Sequence, residues 1–285
     1  LAIFGLRWGK DEGAEAIRLV TCNLKIQKEK RLIMQAKDKI IVALDVSDLS
    51  TAIRLVNQLK DEVSVFKIGL EFIYSLLVQL VFGSSETLTL AKEFFELTRS
   101  RLFWDGKLSD IPNTVRKAVE ALFDFEPAMI NVHANCGRKS IEAAVASLGN
   151  SLLLGVTVLT SIDQEECQSI FGDKPGPKVV QFGFMLKNAG AQGIICSPQE
   201  LSLLANYSAL SGLLKITPGV RPLWAAKGDQ KRVMTPREAI EAGADYLVIG
   251  RPITEYPEKD GGPVAGARRI VEEIETGMEE REVKS

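Results

Sequence analysis

Ten residues from Asp105 to Thr114 (DGKLSDIPNT) form the densest concentration of reactive side chains in the 285-residue chain. Asp105 and Lys107 are two apart, so on a strand their side chains point to the same face. A carboxylate and an ammonium on one inward-facing strand end are costly to desolvate without a use or a partner. Lys67 ends another apolar run and adds a second cation, while Asp45 ends a third and adds an anion. Pro112 is expected to fix a turn, and Asn113 or Thr114 to cap a helix that starts near Val115. Taken alone, the segment is also compatible with an ordinary loop between a strand and a helix, with Asp110 a solvated turn residue.

The rare residues narrow the chemistry. The four cysteines, Cys22, Cys136, Cys167 and Cys196, form no CxxC pair. A disulfide framework or structural zinc site does not fit that spacing, whereas reduced thiols and a cytoplasmic location do. His133 is the only histidine, which removes multi-histidine metal sites and leaves one ring for any nucleophilic triad. Its place just past a strand suits a hydrogen-bonded structural residue beneath a site better than a catalyst. Any enzymatic chemistry therefore rests on Asp, Lys and Arg. The 35 basic and 37 acidic residues nearly balance, which offers no bulk electrostatic case for nucleic acid or an anionic membrane. No apolar run approaches the ~18–20 residues needed to span a bilayer.

The elements that must position these residues follow a regular beat. Apolar, β-branched runs occur at Ile40–Leu44, Val63–Ile68, Arg101–Trp104, Met129–Val132, Leu152–Leu159, Gly193–Cys196, Leu213–Ile216 and Tyr246–Ile249. Most of the intervals carry helical periodicity, as in Thr51–Leu59 and Thr235–Ala242. Eight buried strands separated by helices predict an α/β fold, a single-domain (β/α)8 TIM barrel. A doubly wound sheet would need a Gly-rich turn after its first strand, and the chain there reads Asp45-Val46-Ser47. Nearly every run stops in a polar or turn residue, and in a barrel those ends converge on the face that holds active sites. Trp104 is expected in the core. From Leu1 to Lys39 the chain carries nine Lys/Arg against five Asp/Glu, and residues 1–38 are expected to be an N-terminal extension, helical or poorly ordered, with the barrel spanning 39–285. The Glu272–Lys284 tail is expected to be solvated.

The string DxKxxDIPNT, after one strand that ends VALD and another that ends FKIG, resembles the orotidine 5′-phosphate decarboxylase family. Asn131–Ala134 (NVHA), Gly155–Ser161 (GVTVLTS), Ile195–Pro198 (ICSP), Thr217–Pro222 (TPGVRP), Gly228–Arg232 (GDQKR) and Tyr246–Thr254 (YLVIGRPIT) extend the likeness in the same order, from about Lys39 to about Ile274. The resemblance implies conversion of orotidine 5′-monophosphate to UMP and CO2 with no metal or organic cofactor. It places Lys107 as proton donor and Lys67, Asp105 and Asp110 as its charged array. Asp45 falls on a ribose ligand, and Thr160 and Ser161 fall beside the pyrimidine. Arg221, Gln230, Gly250 and Arg251 fall on the phosphate grip, and Ile111, Thr114 and Pro218 on further substrate-binding positions. The segment Arg221–Gln230 is long enough to close over a ligand. A homodimer sharing Asp110 across its interface is also implied.

The sequence departs from the family pattern at Gly106, where a larger residue is common, at Asn135-Cys136, and in the unusual stretch from Phe82 to Arg99. Two other readings remain open. A sugar-phosphate lyase or decarboxylase of related barrel type shares DxKxxD but needs Mg²⁺, and the DIPNT and GDQKR strings argue against it. A non-catalytic nucleotide-binding barrel is disfavoured because no matched charged residue is missing.

Overall fold

The computed structural model describes residues 34–225 and 234–283. Eight strands, β1 (Ile40–Ala43), β2 (Val65–Ile68), β3 (Leu102–Leu108), β4 (Met129–His133), β5 (Leu152–Val156), β6 (Gly193–Ile195), β7 (Leu214–Thr217) and β8 (Tyr246–Ile249), pair in sequence order. Every pairing is parallel, and β8 returns to β1 through the register Ile40↔Leu247 to close the barrel. The expected (β/α)8 barrel is therefore the observed fold. The barrel unit begins at Ala36, and the expectation for the leader falls almost wholly outside the described residues.

The strands are apolar on both sides because they face two cores. Ile41, Val65, Phe103, Met129, Leu154 and Ile216 meet inside the barrel. Their neighbours Ile40, Val42, Phe66, Leu102, Ile130 and Val132 point outward into the larger core under the helices. That outer layer comprises α1 (Leu49–Leu59) after β1, α2 (Leu70–Phe82) and α3 (Ser85–Thr98) after β2, α4 (Pro112–Glu120) after β3 and α5 (Arg138–Val145) after β4. It continues with α6 (Gln164–Phe171), α7 (Pro175–Asn188), α8 (Leu201–Ala205), α9 (Pro236–Glu241), α10 (Arg251–Thr254) and α11 (Gly262–Val283). Local chemistry sets several starts. Asp48 caps α1 by accepting from the Thr51 N–H at 2.8 Å, and Thr235 with Glu238 forms a capping box on α9.

Some boundaries differ from expectation for physical reasons. The third strand extends four residues beyond Trp104, because Asp105 and Lys107 satisfy one another inside the barrel mouth instead of turning out to water. The fifth strand stops at Val156, before the polar turn that follows. Helix α4 starts at Pro112, not near Val115, and Ile111 precedes it without any side-chain cap. Proline suits the first helical position, since its missing N–H would be unpaired there anyway. The stretch from Phe82 to Arg99 is largely the extra helix α3. Trp104 is only partly buried and packs outward on the helix-side core, stacked on Phe125 at 5.4 Å. Among the described residues, Cys136, Cys167 and Cys196 form no disulfide, and no helix is long and apolar enough to cross a membrane.

Candidate active site

The inward rows that are apolar at the bottom of the barrel turn polar at the top. Period-two alternation carries β2 from Val65 to Lys67, β3 from Phe103 to Asp105 and Lys107, and β4 from Met129 to Asn131 and His133. Asp45 follows two residues past Ala43 at the end of β1. Four neighbouring strands thus deliver their polar side chains to one mouth.

There the charges alternate. Lys67 Nζ lies 3.1 Å from Asp45 Oδ1 and 3.3 Å from Asp105 Oδ2, and Lys107 Nζ donates to Asp105 Oδ1 at 2.8 Å. The Lys67 and Asp105 side chains are only 10% and 11% exposed, so solvent screens the inner half of the array weakly. Asp105 holds both ammonium groups. Gly69 makes room for one of them, since a Cβ there would stand 3.2 Å from Lys67 Nζ.

Lys107 sits in an unusual backbone. The pairing of β3 with β4 shifts between Trp104↔Ile130 and Leu108↔Val132, so three residues of β3 bulge opposite Asn131 alone. Lys107 has φ +49°, a left-handed conformation that costs a non-glycine residue about 1–3 kcal/mol. Its N–H donates to Asn131 Oδ1 at 2.7 Å, and Asn131 Nδ2 donates to Asp105 Oδ1 at 2.6 Å. Asn131 is fully buried, and the motif reading did not assign it a role. A polar residue at an inward position of the apolar run MINVH is the signal that could have found it.

His133, two residues further on the same face, makes no side-chain hydrogen bond among the described residues, contrary to the expectation of a bonded structural histidine. Burial, and then the Lys107 ammonium, lower its pKa, while Asp105 pulls the other way. It is therefore a neutral imidazole near pH 7.

The remaining expected residues divide into groups. Asp110 stands outside the array: it is exposed, it accepts from the Ile111 N–H at 2.6 Å, and its carbonyl accepts from Ser140 Oγ at 2.7 Å. Asp110 and Ile111 line an open cleft of about 630 Å³ with Cys136, Lys139 and Ser140, and Thr114 is exposed on the first turn of α4. Thr160 and Ser161 are exposed in the turn after β5. Beyond β7, Pro218 leads to Arg221, whose N–H donates to the Met234 carbonyl at 2.9 Å beside a parallel Val220–Met234 bridge. Trp224 anchors this arm to α11 by donating to Glu273 Oε1 at 2.9 Å, with the Arg269 guanidinium 4.4 Å over its ring. Gln230 lies outside the described residues, as does the second half of the segment expected to close. Gly250 joins the mouth beside Asp45, since a Cβ there would lie 3.6 Å from Asp45 Oδ2, and the exposed Arg251 follows it. No group of three His, Cys, Asp or Glu side chains among the described residues is placed to hold a metal ion.

Fold and site together define a (β/α)8-barrel enzyme with alternating lysines and aspartates at its strand ends. The model of the orotidine 5′-phosphate decarboxylase / HUMPS family matches residues 38–270. An orotidine 5′-phosphate decarboxylase of Moorella thermoacetica is 40% identical over 253 residues, 85% of this chain and 94% of that protein. One from Vibrio atlanticus is 42% identical over 224 residues, 76% of this chain and 91% of its own length. The crystal structure of orotidine 5′-phosphate decarboxylase from Lactobacillus acidophilus superposes with a TM-score of 0.65 at 28% identity, covering 83% of this chain and 99% of that one. The chain belongs to the orotidine 5′-phosphate decarboxylase / HUMPS family.

Proposed function

We infer that the protein decarboxylates orotidine 5′-monophosphate to UMP and CO2, and that the Asp45–Lys67–Asp105–Lys107 array carries the reaction. The observation that supports it most is the Lys107 ammonium, held 2.8 Å from Asp105 at the barrel mouth. Loss of CO2 from C6 of the pyrimidine breaks the C6–carboxylate bond and leaves its electron pair on C6. No carbonyl or imine stands beside that carbon to absorb the pair. A fixed cation must stabilise it where it develops, and a proton must arrive there. Lys107 does both: its charge attracts the carbanion, its Nζ proton passes to C6, and water reprotonates the amine. At about 4 Å and an effective dielectric of about 20, such a pair interacts by about 4 kcal/mol. Asp105 keeps the ammonium in place during this step, and Lys67 balances the second oxygen of that carboxylate.

The other roles follow from position. Asp45 is exposed at the mouth and suits a ribose hydroxyl. Thr160 and Ser161 face the base, with Pro218 at its edge. Arg221, Gln230, Gly250 and Arg251 take the phosphate, for which arginine offers a two-pronged donor. Asp110, Ile111 and Thr114 serve the site of a second copy in a homodimer, a reading supported by the exposure of Asp110 away from its own array. The protein works in the cytoplasm, in keeping with the unpaired thiols of Cys136, Cys167 and Cys196.

An absorbance assay with orotidine 5′-monophosphate, run with and without EDTA, tests the reaction. Equal turnover in both arms is expected. Loss of turnover on chelation would contradict metal-free chemistry. No turnover in either arm beside Mg²⁺-dependent cleavage of a sugar phosphate would favour the related lyase, and tight UMP binding without turnover would favour a non-catalytic barrel.

A further inference from the structure

We propose that Asn131 is the positioning residue that aims the Lys107 ammonium, by holding the β3 bulge and the Asp105 carboxylate at the same time. The inference rests on the assignment of Lys107 as proton donor and adds a residue that does not touch substrate.

Asn131 is the single residue of β4 between the two register points Trp104↔Ile130 and Leu108↔Val132. Opposite it, Asp105, Gly106 and Lys107 have no ladder partners of their own. A backbone N–H left unpaired at a buried position costs about 1–3 kcal/mol, so the Lys107 N–H needs an acceptor. The Asn131 carbonyl oxygen supplies it at 2.7 Å. The amide nitrogen of the same side chain donates to Asp105 Oδ1 at 2.6 Å, the oxygen that also accepts from Lys107 Nζ at 2.8 Å. One rigid planar group therefore fixes both ends of the lysine: its backbone in the left-handed conformation, and the carboxylate that holds its ammonium.

The demand on residue type is narrow. A carboxylate at position 131 would accept from Lys107 but would face Asp105 with like charge. An aliphatic residue would leave the Lys107 N–H unpaired and Asp105 short of one donor. Only an amide of this length accepts and donates in the two required directions. Full burial of Asn131 excludes water as a ready substitute.

The test compares Asn131→Ala, Asn131→Ser and Lys107→Ala with the wild-type protein, measuring kcat, KM, UMP affinity and thermal midpoint for each. Displacement of a reacting group by about 1 Å costs about 100-fold in rate, so kcat of Asn131→Ala should fall by about that factor. KM and UMP affinity should stay within about threefold, because the phosphate contacts are untouched. Asn131→Ser keeps a small donor and acceptor and should recover part of the loss; it also provides the same comparison if the alanine variant fails to fold. An inactive Lys107→Ala beside an Asn131→Ala of near wild-type kcat would overturn the positioning role while leaving the lysine assignment intact. An active Lys107→Ala would overturn the assignment beneath it. Equal losses in kcat and UMP affinity would also overturn the proposal, by reducing Asn131 to a packing residue of the mouth.

Discussion

Asp105 is the hinge of the site at the scale of single residues, because one carboxylate accepts from both lysines and from Asn131. His133 reports on the same charges from one step further along β4. Its folded pKa is lowered by burial and by Lys107, so the folded protein binds that proton less readily than the unfolded chain does. Above the ordinary histidine value of about 6.5 neither state is protonated and stability is at its full level. As pH falls below it, the unfolded chain takes up the proton first, and stability declines until the folded imidazole titrates as well. His133→Asn should therefore flatten the dependence of the urea midpoint on pH between about 7 and 5. An unchanged slope would mean that other groups govern acid stability. Of the site, Asp45, Lys67, Asp105 and Lys107 were legible in the sequence because a charge that ends an apolar strand has few places to go. Asn131 was hidden because one amide inside an apolar run looks like an interruption of that run.

At the scale of elements, β3 shows why charged strands are hard to delimit. The eight strands were readable from runs apolar on both faces, but a run of this kind ends where the inward face turns polar. Chain beyond Trp104 looked like loop for that reason, although it continues as strand to Leu108. The same strand explains the departure at Gly106. A Cβ at position 106 would meet Trp104 Nε1 at 2.8 Å and Cδ1 at 3.0 Å, and any shift of Trp104 to make room would disturb its stack on Phe125. A large residue at 104 and none at 106 are thus one packing solution. Gly106→Leu alone should destabilise the protein by about 1–3 kcal/mol through overpacking. Adding Trp104→Leu should recover most of that loss, and a double-mutant cycle in urea would measure the coupling. Simple additivity of the two substitutions would show that the side chains do not compete for space.

At the scale of the whole molecule, the barrel brings one half of the proposed machinery together and leaves Asp110 facing away. Complementation examines the consequence. Lys107→Ala and Asp110→Asn chains should each be nearly inactive alone. If the two residues serve one site from different chains, a mixed dimer puts both defects into one site and leaves the other whole. Random exchange at equal amounts makes about half the dimers mixed, with one good site of two, so about a quarter of wild-type activity should return. Mixed dimers shown to form but without recovered activity would place Asp110 in the site of its own chain. The residues proposed to take the phosphate belong to this scale too. Arg221 follows β7, and Gly250 and Arg251 stand where β8 gives way to α10, positions with no periodic signal of their own, so the ordered family motifs had to point to them.

The most direct measurement is turnover of orotidine 5′-monophosphate by Lys107→Ala, set beside the affinity of the same variant for UMP. Removing both the cation and the proton from C6 should lower turnover by at least about a thousandfold, while UMP binds within about threefold of wild type. Turnover within about tenfold of wild type would contradict catalysis by Lys107 and, with it, the role given to the array.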